Sequence, residues 1–258
     1  MLQTKIVFFD IDGTLIDMQA KKITPKMLET LHRLQDRGIK ICIATGRSPM
    51  VLPKIDGVAF DAYLTFNGSL CYDRKGVIFS NPIPHKDVVR FIQNAAALGR
   101  PVCVSTRDRL AANGTDTDLT DYFFIANEPV PVADDFDAVC AEDIYQLMLG
   151  CRPKDYPALL DGAPGAKIAA WWDRAVDVIP AGGGKGIGIE KMLAYYGLDK
   201  GEALAFGDGN NDREMLQAVG TGVAMENGSP ELKAIADEIC GPVYEDGIYH
   251  YCADKGLI

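Results

Sequence analysis

The chain has 258 residues, 48% of them apolar, and 26 basic against 36 acidic residues give a net charge of −10, so it can bury one large core or two smaller ones. An acidic balance without a Lys/Arg tract argues against a nucleic-acid or anionic-membrane surface, and no apolar stretch approaches a membrane span or a cleaved leader. A cytoplasmic protein is expected, its seven scattered cysteines, with no C-x-x-C, being mostly buried free thiols and forming neither disulfide framework nor zinc site.

"KIVFFDI" (5–11) is a continuous apolar run, as expected of a parallel strand covered on both faces. A helix follows in "ITPKMLETLHRLQDRG", with Thr24 to cap it, Pro25 at its first position, a stripe of Leu28, Leu31 and Leu34, and Gly38 to end it. "IKICIATG" (39–46) predicts a second buried strand, and "RSPMVLPKI" a second helix with Ser48 as cap and Pro49 behind it. "DAYLTFNG" (61–68) predicts a third strand, leading into a hairpin through "CYDRKGVIFS". From about Pro84 to Pro180 the pattern changes to helix, hairpin, strand, short helix and hairpin, an α+β module. Trp171 and Trp172 alternate along one of its predicted strands, one expected in the module's core and the other facing a cleft. After it, "GIGIEKMLAYYG", "EALAFGDG", "NDREMLQAVG", "TGVAM" and "SPELKAIAD" alternate helix, strand, helix, strand, helix. Both ends thus read as β-α-β. The expected fold class is α/β, a doubly wound Rossmann-like parallel sheet over 1–83 and 181–258 with an α+β cap domain inserted at 84–180.

Ligands of such sheets bind beyond the carboxyl ends of the strands. Four polar stretches lie at or near such ends: "DIDGT" from Asp10, "TGR" from Thr45, "GGGKG" around Lys185, and "GDGNND" from Gly207. Clustered carboxylates repel unless a cation joins them, and an all-oxygen set of Asp10, Asp12 and Asp208 suits Mg²⁺. Magnesium held by few carboxylates commonly shares a phosphate oxygen, so phosphate chemistry is implied. The Thr45 hydroxyl, the Gly46 amide and the N-terminus of the helix near Ser48 can cradle the other phosphate oxygens, with Lys185 adding charge. Taken singly, Asp-x-Asp-Gly is more often a turn than a metal site, and "GDGNND" reads as well as a turn capping the next helix. A calcium loop fails because Arg213 stands where Gly is required and Val219 where Glu is required. A P-loop fails because Ile179 replaces its first Gly and Gly186 the Ser/Thr after Lys185.

Taken in order, the four stretches resemble the motifs of the haloacid dehalogenase superfamily of phosphohydrolases. "TFNG" and the large insertion between the second and third motifs resemble its Cof-type subfamily, class IIB with an α+β cap. The resemblance implies a doubly wound core and a phosphatase of small phosphate esters, sugar phosphates above all, with Mg²⁺ as cofactor. It makes Asp10 the nucleophile that forms an aspartyl-phosphate, and Asp12 the acid and then the base, ligating metal through its carbonyl. Asp208 completes the metal ligands, with Asp212 supporting them or serving as a further carboxylate. Ile11 through its amide, Thr45, Gly46, Lys185 and Asn211 bind phosphate. A phosphomutase or phosphotransferase using the same intermediate, or a non-catalytic sugar-phosphate-binding module, are the alternative readings. Nothing in the sequence sets the oligomeric state.

Overall fold

The computed structural model describes residues 3–258 except positions 126 and 171. Contacts divide the chain into two units, one made of Met1–Arg47, Pro53–Ser80 and Gly184–Ile258 and the other of Ser48–Leu52 and Asn81–Gly183.

In the first unit, strand β1 (Ile6–Phe9) is buried along its whole length, as its apolar run requires. Helix α1 (Pro25–Asp36) starts where expected: the Thr24 hydroxyl accepts from the Met27 N–H at 3.1 Å, Pro25 occupies the first turn, and Met27, Leu31 and Leu34 turn inward. Strands β2 (Lys40–Ala44), β3 (Ala62–Thr65), β4 (Leu70–Asp73) and β5 (Gly76–Ser80) follow.

The helix expected after Arg47 does not form. Only a 3-10 turn, Pro49–Val51, is present, and Ser48 makes no capping bond. Pro53 explains this, because a residue before proline is driven out of the helical region, and Leu52 lies at φ −67°, ψ 133°. No helix N-terminus therefore stands behind Thr45 and Gly46.

The second unit is built on a five-stranded antiparallel sheet. In chain order it contains α2 (His85–Ala97), β6 (Cys103–Ser105), β7 (Leu110–Ala112), α3 (Thr117–Ile125), α4 (Phe136–Val139), β8 (Gln146–Gly150), α5 (Tyr156–Leu160), β9 (Ala166–Ala169) and β10 (Ala175–Pro180). Alternation sends Val104, Leu147, Leu149, Val176 and Val178 into one core with Phe91 of α2 and Leu159 of α5. Cys103, Ala112 and Met148 pack instead with Leu119 and Phe123 of α3. Helix α3 was not expected, since Thr, Tyr and Phe in "TDLTDYFFI" have modest helix propensity; burial of Leu119 and Phe123 overrides it. Trp171 lies outside the described residues. Trp172 sits in the turn between β9 and β10, not on a strand, with the Arg174 guanidinium 5.1 Å from its ring centre.

The first unit resumes with α6 (Lys185–Tyr196), β11 (Ala203–Gly207), α7 (Arg213–Ala218), β12 (Thr221–Met225), α8 (Pro230–Lys233), β13 (Glu238–Cys240) and α9 (Gly247–Asp254). Its eight-stranded sheet has the order β13-β12-β11-β1-β2-β3-β4-β5 and is parallel from β13 to β3, with β4 and β5 turning back as an antiparallel edge. Ile6 and Phe8 share one face with Ile189 and Met192 of α6 and Met215 of α7. From the other, Phe9 stacks on Phe206 at 5.5 Å and Phe206 meets Tyr251 of α9 edge-on. The sheet is thus covered on both sides, as a mainly parallel sheet requires. β1 lies where the chain order reverses, β2 and β3 running off to one side and β11 to β13 to the other. That is the switch point where doubly wound sheets bind ligands. All seven cysteines are free and buried, and among the described residues no helix is long and apolar enough to cross a membrane.

Candidate active site

In register Phe9 stands opposite both Ile43 and Phe206. The residues just beyond them, Asp10 to Asp12, Thr45 to Arg47 and Asp208 to Asp212, therefore leave the sheet at the carboxyl ends of its parallel strands. Lys185 joins them at the start of α6.

The Lys185 ammonium is 1% exposed and donates to Asp10 Oδ1 at 2.6 Å and to Asp212 Oδ1 at 2.5 Å. Burial alone would lower its pKa, but the Asp10 and Asp212 carboxylates outweigh burial and hold it charged. Asp212 is fully buried, and its Oδ2 also accepts from the Asp208 and Gly209 N–H groups at 3.0 and 2.9 Å. It therefore ties the lysine to the "GDGNND" loop.

Oxygens of Asp10, Asp208 and Asp212 lie within 4.8 Å of one another. One ammonium faces three acids, and two of them, Asp10 and Asp208, are raised above the usual carboxylate range. Burial raises Asp10 well above the usual carboxylate range, Lys185 opposing and Asp212 and Asp208 adding to the rise. Asp208 is pushed up to about 6, by burial first and then by Asp212. An all-oxygen set with excess negative charge fits a hard divalent cation.

Asp208 is held by Thr14, whose hydroxyl donates to its Oδ1 at 3.0 Å. The bond ties the "DIDGT" turn to a residue 194 positions away. Gly13 adopts φ +83°, and a Cβ there would run into the Asp208 carboxylate. Both the backbone and the close approach demand glycine at this position.

Asp12 is half-buried and paired with Arg47, which donates from Nε to Oδ2 at 2.8 Å and from Nη2 to Oδ1 at 2.6 Å. Thr45 is buried, its N–H donating to Leu64 O at 2.8 Å and its hydroxyl accepting from the Arg47 N–H at 3.1 Å. Asn67 packs against Gly46, where a Cβ would meet its amide at 3.1 Å. With φ 51° it is a non-glycine residue in the left-handed region, held there by its N–H to Thr45 O at 3.0 Å. Asn211, exposed, donates from Nδ2 to Asn67 Oδ1 at 3.2 Å. Ile11 is buried and its carbonyl accepts from Leu15 and Ile16. Every candidate residue thus belongs to the first unit.

Sequence reasoning did not assign Arg47, Asn67 or Asn227 a role. Arg47 and Asn67 stand inside stretches already singled out. Asn227 gives no signal of its own, yet it donates to Gly13 O at 2.8 Å and accepts from the Val243 N–H at 2.9 Å.

Of the "GGGKG" glycines, Gly184 and Gly186 are packed closely, as is Gly188 just beyond the motif, whereas Gly182 has open space around it. A Cβ on Gly184 would strike the Glu214 carboxylate, one on Gly186 would come 2.8 Å from the Glu214 carbonyl, and one on Gly188 would meet Leu64 at 2.6 Å.

A family model described as haloacid dehalogenase-like hydrolase matches residues 7–252. YkrA of Bacillus subtilis (strain 168), 35% identical over the whole of both chains, carries a provisional phosphatase name that states no substrate. The phosphatase BT1666 from Bacteroides thetaiotaomicron superposes with a TM-score of 0.92 at 30% identity, over 99% of this chain and 96% of that one. The subclass IIB sugar phosphatase BT4131 superposes with a TM-score of 0.87 at 28% identity, over 99% and 100%.

Proposed function

Since this chain belongs to the haloacid dehalogenase-like hydrolases and its relatives are named phosphatases, we propose that it is a Mg²⁺-dependent phosphatase of small phosphorylated metabolites, sugar phosphates foremost, working through an aspartyl-phosphate on Asp10. The observation that carries this reading is the buried Lys185 joined to Asp10 and Asp212 beside Asp208. A protein that only bound sugar phosphates would have no need to crowd three acids, two of them buried, around the position where an anion must come. The sugar-phosphate class is supported by the likeness to the sugar phosphatase.

Asp10, Asp208 and the Asp12 carbonyl would hold the cation, with Asp212 anchoring the loop behind it. Bound there, Mg²⁺ would neutralise charge on the phosphoryl oxygens and on the attacking carboxylate. The remaining chemistry belongs to the chain. A carboxylate oxygen of Asp10 attacks phosphorus while the bond to the leaving oxygen breaks, and the alcohol takes its proton from Asp12. Water then attacks the aspartyl-phosphate, giving its proton to Asp12 as the bond to Asp10 breaks and inorganic phosphate leaves. Lys185, Thr45, the Gly46 and Ile11 amides and Asn211 stabilise the transferring phosphoryl group, whose loose transition state needs alignment and charge more than covalent help.

The test is turnover by purified protein on a panel of phosphate esters, with and without Mg²⁺, followed by acid quench with phosphorus-labelled substrate. Metal-dependent phosphate release and label on wild-type protein, both lost in Asp10→Asn, are expected. Phosphate transfer to an alcohol without release would favour the phosphotransferase, and binding without turnover on the whole panel the binding module.

A further inference from the structure

Between β12 and α8 the chain runs through "MENGSP", and this short loop touches both metal-bearing turns. Asn227 Nδ2 donates to Gly13 O at 2.8 Å, while its Oδ1 accepts from the Val243 N–H at 2.9 Å. Two residues on, the Ser229 N–H donates to Asp208 O at 2.9 Å and the Ser229 hydroxyl donates to Asn210 Oδ1 at 2.8 Å. Gly228 makes the approach possible, since a Cβ there would come 2.9 Å from both Asp208 O and Met225 O.

The consequence for the "DIDGT" turn follows from peptide planarity. The Gly13 N–H is fixed on Ile16 O at 2.9 Å, so the Asp12 carbonyl, in the same peptide plane, must point the opposite way. The next peptide is fixed through its own carbonyl, by Asn227. Both planes flanking Gly13 are thus held, and the second is held by a side chain from a loop that also grips Asp208. The 226–230 loop is therefore bonded both to the turn that carries the Asp12 carbonyl and to the backbone of Asp208.

We propose that Asn227 is a positioning residue of the metal centre: through Gly13 it orients the Asp12 carbonyl relative to Asp208, the loop carrying it being the common brace of both ligand-bearing turns. This rests on the Mg²⁺-dependent reading above. Groups that orient metal ligands typically change metal affinity about 10- to 100-fold when removed.

The experiment measures Mg²⁺ binding without substrate, as the rise in melting temperature across a Mg²⁺ titration and by calorimetry, in wild type, Asn227→Ala and Asn227→Asp. The half-saturating Mg²⁺ concentration should rise about 10- to 100-fold in Asn227→Ala, with the melting temperature of the metal-free variant within a few degrees of wild type. A merely structural residue would lower the metal-free melting temperature and leave the half-saturating concentration unmoved, and that result would overturn the inference. If Asn227→Ala does not fold, Asn227→Asp decides: it keeps an acceptor for Val243 but sets a carboxylate oxygen against the Gly13 carbonyl. Weaker Mg²⁺ binding in that variant supports the inference; unchanged or tighter binding overturns it. A wild-type protein with no Mg²⁺ response in melting, calorimetry or turnover would instead defeat the underlying reading, so the two failures are distinguishable.

Discussion

Arg47 occupies both carboxylate oxygens of Asp12 through two parallel bonds of 2.8 and 2.6 Å. Asp12 is thus oriented by a planar fork, and under the proposed mechanism at least one of its oxygens must be released before it can serve a leaving group. Lysine cannot reproduce that geometry. Because both side chains are about a third exposed, the loss belongs at the low end of the roughly 1.5–3 kcal/mol of a bond to a charged group. Arg47→Lys should therefore cost about tenfold in kcat/KM on an alkyl phosphate, at the low end of that range. On p-nitrophenyl phosphate, whose leaving group needs no proton, the phosphorylation step should be spared. The ratio of the two specificity constants, measured side by side, checks this; an equal fall on both substrates would leave Arg47 with no part in proton transfer.

Lys185 also carries a structural role that can be measured apart from activity. Its removal strands Asp10 and Asp212 as buried acids without their counter-charge, and breaking a buried pair from one side typically costs about 3–5 kcal/mol. Lys185→Met should lose stability on that scale in urea unfolding, and regain part of it when Asp212 is also changed to Asn. Additive losses in the double variant would show that the two residues are not coupled.

The fold was legible where one physical rule acted alone. Strands β1, β2 and β11 read as continuous apolar runs because both their faces are covered, and α1 because cap, proline and apolar stripe agree. The acids and the lysine were legible because four polar stretches, each alone readable as a turn, stand in order at or near strand ends. Pairings between distant segments were not. Arg47 meets Asp12 across 35 residues and Asn227 meets Gly13 across 214, and an arginine or an asparagine in a loop has many possible partners that only the register of β1, β2 and β12 narrows. The helix expected after Ser48 failed because Pro53 overruled a favourable start.

Asp208 gives a pH dependence with a definite sign. Its folded pKa, about 6, lies above the ordinary carboxylate value of about 3.9. In metal-free protein this group contributes stability that is fully present below about pH 4 and is lost as the pH rises through its folded value near 6. The cation reverses the balance, since it needs the ionised form and displaces the proton. The Mg²⁺-induced rise in melting temperature should be larger at pH 8 than at pH 5, the half-saturating concentration rising about tenfold per pH unit for each protonated ligand, Asp208 below pH 6 and Asp10 as well. Thr14→Val, which removes the hydroxyl bond to Asp208, should shift that midpoint upward. A Mg²⁺ effect independent of pH from 5 to 8 would contradict the assignment of Asp208 as a ligand.

In the second unit, Asp118 at the start of α3 receives three guanidinium groups: Arg152 at 3.1 Å on each oxygen, Arg174 at 3.1 and 3.2 Å on Oδ1, and Arg100 at 3.1 Å on Oδ2. These bonds tie α3 to the segments after β8 and before β10. A Cβ on Gly150 would run into the Asp118 side chain, so glycine there lets the helix come close. The bond from Arg152, foremost, holds the Asp118 carboxyl below its usual range. A depressed pKa contributes stability that is present above about pH 4 and lost as the pH falls through the folded value. The arginines reach solvent, so the cost of Asp118→Asn should fall below the 3–5 kcal/mol of a fully buried pair, at about 2 kcal/mol. Urea unfolding at pH 7 should show that deficit, and it should narrow at pH 3, below the ordinary carboxylate value of about 3.9. A deficit equally large at both pH values would mean that Asp118 acts through packing against Gly150 and not through its charge.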